Sequence, residues 1–84
     1  MPDPRSPVRL HAVLRRADPT RPAAEFYSLI IERDLFGQIR LVRNWGRVGT
    51  KGRELVEEYG SEVEAGQALE AIAEGLRSRG YCDL

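Results

Sequence analysis

After Gly60 the spacing of apolar residues changes from two to between three and four, and this switch limits the fold more than any other feature of the chain. Upstream, "VRLHAVLR" (8–15) alternates, with Val8, Leu10, Ala12 and Leu14 on one side and Arg9, His11, Val13 and Arg15 on the other. A period of two predicts a half-buried strand. "FYSLIIER" (26–33), aromatic and β-branched, predicts a second, and "IRLVRNW" (39–45) a third. The short "DLFGQ" (34–38) between them, with Gly37 suited to positive φ, makes those two an antiparallel hairpin. "RELVEEY" (53–59) predicts a fourth strand, whereas Pro19 and Pro22 make "ADPTRPAAE" (17–25) a loop.

Downstream, Val63, Ala65, Ala68, Leu69, Ile72, Ala73 and Leu76 form one apolar stripe of a helix over 61–80. Ser61 followed by Glu64 is a capping-box pattern, and Gly80 is placed to end the helix. Gly66 and Gly75 each weaken helix propensity by up to ~1 kcal/mol, so the helix must be held by packing. The expected architecture is α+β: a small antiparallel β-sheet of about four strands with one C-terminal α-helix packed on one face. Eighty-four residues accommodate one domain, residues 8–84, behind an extended, poorly ordered tail over 1–7 that carries three prolines.

The apolar fraction of 42% and charged fraction of 31% suit a globular domain, and no apolar run approaches the ~20 residues that span a bilayer. With no signal-peptide pattern, and with Cys82 as the single cysteine, the expected location is the cytoplasm. The net charge of zero hides an asymmetry that bears on partners. Residues 1–53 hold eleven Lys/Arg against five Asp/Glu, and residues 54–84 hold two against eight. Such a division predicts a basic face and an acidic face.

The basic half peaks around the only tryptophan. Arg40, Arg43, Arg47, Lys51 and Arg53 fall in a stretch with no acid, and Gly46 and Gly49 lie within its "WGRVG" core. Alternation puts Ile39, Leu41, Arg43 and Trp45 on one face. An indole stacks on a base or sugar, for about 1–3 kcal/mol without reading sequence. Guanidinium forks hold phosphates, and glycines let backbone N–H groups approach an anion. An ordinary structural reading competes: Trp45 as a core anchor and the cations as a solvated, charge-protected edge.

"FYSLIIERDLFGQIRLVRNWGRVGTKGR", followed by an acidic strand and a helix ending "RSRGY", resembles the WGR domain, a family named for its Trp-Gly-Arg motif and found in poly(ADP-ribose) polymerases and small bacterial proteins. The resemblance covers about residues 8–82. It implies binding at DNA strand breaks, with Trp45 packing on the sugar at a DNA end, Arg47 holding strand and domain neighbours, and Gly46 and Gly49 shaping the loop. In a chain of this length any protein partner would act in trans.

Two functions follow as expectations. One is a largely sequence-independent nucleic-acid-binding module for DNA ends, nicks or single strands, using Trp45 with Arg40, Arg43, Arg47, Lys51 and Arg53. The other is a protein-interaction module that recruits an acidic partner through the same surface. The oligomeric expectation is a monomer or weak homodimer. No nucleophile–base pair, metal set or nucleotide loop is visible, so neither catalysis, a metal nor a cofactor is expected; His11 and Cys82 are too few for a metal site. Phe26, Tyr27 and Phe36 read as core or turn-packing aromatics, while Tyr59 and Tyr81 could extend a stacking surface.

Overall fold

A computed structural model describes residues 10–20 and 23–84. The tail expected over 1–7 lies outside the described residues, as do Val8 and Arg9. Five strands and a helix follow in the order β1 (His11–Arg16), β2 (Glu25–Arg33), β3 (Ile39–Arg47), β4 (Arg53–Tyr59), α1 (Glu62–Ser78) and β5 (Cys82–Asp83). The strands form one sheet in the order β4-β3-β2-β1-β5, with every neighbouring pair antiparallel. The α+β architecture is as expected, with one strand more. β5 pairs Leu14 with Asp83 and Arg15 with Cys82. Two residues have no period to read, so only the free edge of β1 reveals them.

The hairpin turn forms where the sequence puts it. The Asp34 carboxylate accepts the backbone N–H groups of Phe36 and Gln38, both at 2.9 Å, and Gly37 has φ +81°. β3 then runs two residues beyond the expected end, through Arg47.

The core lies between α1 and one face of the sheet. Ala12 and Leu14, Leu29 and Ile31, and Ile39 and Leu41 meet Ala65, Leu69, Ala73 and Leu76, all buried. Leu10, which precedes β1, leaves the expected stripe at 47% exposure. Val63, expected on the buried stripe, is 50% exposed. It lies one heptad before Glu70, so two helical turns bring it to the polar face. Phe36, expected to pack at its turn, is almost wholly exposed.

Both helix ends are satisfied. Ser61 Oγ accepts Glu64 N–H at 3.1 Å, although the reciprocal carboxylate bond of a capping box is not made. At the other end Tyr81 N–H bonds Leu76 O and Gly80 N–H bonds Arg77 O, both at 3.0 Å, with Gly80 at φ +94°. This is a Schellman ending, and it delivers Tyr81 to the sheet. Arg77 then grips Asp83 with two bonds of 2.7 and 3.0 Å, which fastens β5.

One stability prediction arises here. Gly75 is exposed in the last turn of α1, and a Cβ added there meets nothing within 4 Å. Gly75→Ala should therefore stabilise the fold by ~0.5–1 kcal/mol, a rise of a few degrees in the melting temperature seen by circular dichroism. A fall would mean that the glycine serves a contact absent from this geometry.

Candidate nucleic-acid interface

Strand alternation and hairpin register assemble the aromatic part of the site. Counting back from the turn pairs Leu29 with Arg43 and Tyr27 with Trp45, and side chains directly opposite in antiparallel strands share a face. Both pairs lie on the helix side. Tyr27 and Trp45 stack with ring centroids 5.5 Å apart and planes 12° apart. Tyr81, delivered by the helix ending, meets Tyr27 edge-on at 6.3 Å and 89°. The row Tyr81–Tyr27–Trp45 thus begins where the helix stops covering the sheet. Trp45 is half-buried.

Cations ring this row, but in two distinct states. Arg16 Nε donates to Glu25 at 3.0 Å, its NH1 donates to Arg79 O at 3.0 Å, and its guanidinium lies 4.8 Å from the Tyr81 ring centre. The bond to Glu25 lifts its pKa above the ordinary arginine value. Arg43 is similarly committed. Its Nε and NH2 both reach Glu57 Oε1 at 2.9 Å. Burial alone would lower its pKa, but interactions with Tyr27 and Glu57 outweigh that and leave it raised. These two arginines brace the aromatic row. Arg47, Lys51 and Arg53 are exposed, and among the described residues none has an ion pair.

Arg40 is not brought to this cluster. It alternates with Leu41 onto the helix-free face, where Glu32 Oε1 lies 3.9 Å away. The sequence stretch without an acid therefore acquires acids from neighbouring strands, Glu32 from β2 and Glu57 from β4. Asn44, on the same helix-free face, donates its amide to Arg53 O at 2.9 Å and Lys51 O at 3.4 Å, tying down the loop after β3.

That loop owes its shape to three glycines. Thr50 N–H and Oγ1 both bond Arg47 O, at 3.1 and 2.7 Å, across a turn with Gly49 at φ +94°. Gly46 and Gly52 approach backbone to backbone: a Cβ on Gly46 would lie 2.7 Å from Gly52 Cα, and one on Gly52 would lie 2.2 Å from Trp45 O. The sequence reading included Gly46 and Gly49 but not Gly52, whose close approach only the folded loop creates. Tyr27, read as a core aromatic, is the partner of Trp45, and the turn count was the signal for it. Tyr81 joins the row and Tyr59 does not, although all three tyrosines pack against the core.

Comparison with known proteins gives the family and the fold. The family model described as the WGR domain matches residues 10–84. The uncharacterized protein y4dW of Sinorhizobium fredii is 43% identical over 75 residues, a match covering 89% of this chain and 36% of that protein. A crystal structure of a Bacteroides fragilis protein shares the fold, with a TM-score of 0.72 at 21% identity, over 89% of this chain and 19% of the other. This chain thus spans about a third of the one relative and a fifth of the other. With the family model matched from the first described residue to the last, and its tryptophan, glycine and arginine found together at the rim of the sheet, the chain belongs to the WGR domain family.

Proposed function

We propose that the protein is a nucleic-acid-binding module that caps a DNA end or nick with Trp45 and holds the adjoining phosphates with Arg47, Lys51 and Arg53. The observation that carries this reading is the indole stacked on Tyr27 and only partly buried. One face stacks on Tyr27, and the part of the ring that stays exposed is where this reading puts a ligand ring or sugar. A ring with one face already taken suits the terminal residue of a strand, whereas threading between stacked bases needs both sides. Arg43 acts here by bracing Tyr27 and the strand pair, while Arg40, on the other face, does not contact the ligand. Gly46 and Gly49 give the loop its bend.

Three phosphate contacts predict a definite salt response. Affinity should fall by roughly 20- to 40-fold between ~50 and ~200 mM monovalent salt, given a slope of ~0.7–0.9 log units per contact. The test is fluorescence anisotropy with labelled nicked, blunt and single-stranded DNA at those two concentrations. The emission of the sole tryptophan is followed in parallel, since stacking on a nucleotide quenches it. Binding without quenching, or binding indifferent to salt, would remove Trp45 or the loop cations respectively from the interface. Arg16 and Arg43, each with its pKa raised above the ordinary arginine value, stay protonated at the pH of these titrations.

A further inference from the structure

The far end of the β2–β3 hairpin carries the most exposed apolar groups among the described residues. Leu35 is 99% exposed and Phe36 94%, and their turn is tied by the two bonds to the Asp34 carboxylate. A flexible loop can fold its apolar side chains against the surface; this turn holds them out in water. Two large side chains presented in this way are the mark of a contact site.

The surroundings indicate what the tip contacts. Glu32, Asp34, Glu58 and Glu62 lie about it, against Arg33 and Arg40. Arg33 is tied to Glu62 at 3.4 Å, Arg40 lies 3.9 Å from Glu32, and Glu58 has no ion pair among the described residues. The tip is thus an aromatic ring in a net-acidic setting, which argues against a polyanion or an anionic membrane as its target. The opposite end of the same two strands is the complement: an aromatic surface with Arg47, Lys51 and Arg53 exposed and unpaired. Nine-residue strands separate the ends by ~30 Å, so the tip cannot reach its own Trp45.

We infer that the Leu35–Phe36 tip of one copy docks on the Trp45 surface of a second copy, with Phe36 against the exposed part of the indole and tip carboxylates facing Arg47, Lys51 and Arg53. The contact is head-to-tail. Each copy keeps one free tip and one free aromatic surface, so association continues into short chains instead of stopping at a dimer. It is weak, with a Kd on the order of 0.1–1 mM, because a hairpin tip buries less than a standard interface. A ring accompanied by anions is also what a nucleic-acid end offers, so the two ligands exclude one another; this clause alone rests on the function proposed above.

Sedimentation equilibrium of the whole chain, from ~10 µM to ~1 mM, tests the contact. The average mass should rise above 9.5 kDa with concentration and fall back in high salt. Phe36→Ser, at an exposed position that cannot unsettle the core, should weaken association at least ~10-fold. The charge reversal Arg47→Glu with Lys51→Glu, at exposed positions, should do the same. The decisive sample is their mixture: the Phe36→Ser chain keeps a working surface and the reversed chain a working tip. Together they should form one-to-one dimers that grow no further. A wild type monomeric throughout overturns the proposal, as does association that survives Phe36→Ser or a mixture that stays monomeric. Added nicked duplex should break up the wild-type chains. Self-association in this pattern by a protein that ignores DNA would sink the nucleic-acid reading and leave the head-to-tail contact standing.

Discussion

Trp45→Ala is expected to lower affinity for nicked and blunt-ended DNA by about 5- to 150-fold, the loss of one stacking contact of ~1–3 kcal/mol. The ring is shared between two tasks, which complicates any simple deletion. It is half-buried against Tyr27, so its removal also uncovers the tyrosine and costs some stability. Arg47→Ala separates the two effects. That side chain is exposed and unpaired, so its loss should reduce DNA affinity several-fold and leave the melting temperature unchanged. The expected pattern is therefore weaker binding in both variants and lower stability only in the first. Anisotropy titrations paired with thermal melts would establish it. If Trp45→Ala bound DNA as well as wild type while melting early, the indole would be a structural anchor and nothing more.

Gly52→Ala should be the most damaging of the small substitutions. Two independent costs coincide at this residue. Its φ of +71° lies where an L-residue is disfavoured by ~1–2 kcal/mol. A Cβ there would sit 2.2 Å from the carbonyl oxygen of Trp45, a backbone atom that cannot swing aside as a side chain could. With overpacking of ~1–3 kcal/mol added, the sum is about 2–5 kcal/mol, enough to lower the melting temperature by ~10 °C or more in a domain of this size. Gly49 provides the contrast. Its φ is +94°, but a Cβ meets nothing within 4 Å, so Gly49→Ala should lose only about the backbone cost, ~1–2 kcal/mol. Gly46→Ala should fall between them, since its Cβ would press on Gly52 Cα at 2.7 Å without strain in φ. Thermal melts of the three variants should rank Gly52 below Gly46 below Gly49. Equal melting temperatures for Gly52→Ala and Gly49→Ala would mean that the loop yields freely, and that the approach of Gly52 to Trp45 does not hold the site together.

Much of this interface was legible in the chain. The five-residue turn fixes the register of its hairpin, and the register fixes that Tyr27 faces Trp45 and that Arg43 shares their side. The count from the turn suffices, although Tyr27 reads as an ordinary core aromatic when taken alone. The arginines were harder. Arg40, Arg43 and Arg47 look alike in sequence, yet one lies on the helix-free face beside Glu32, one is held by Glu57, and one is free. Their difference depends on which acid the neighbouring strand places opposite, and that acid is many residues away along the chain.

Taken by itself, then, the sequence determined the period-two strands, the period-3.6 helix, both helix caps and the tight hairpin, because each depends on residues within a few positions of one another. Tertiary structure alone decided which cations remain unpaired, that Gly52 must be glycine, that two residues near the C-terminus close the sheet as β5, and that Phe36 stands in water. These depend on what a second segment brings within a few ångströms, and short-range propensity carries no information about that distance.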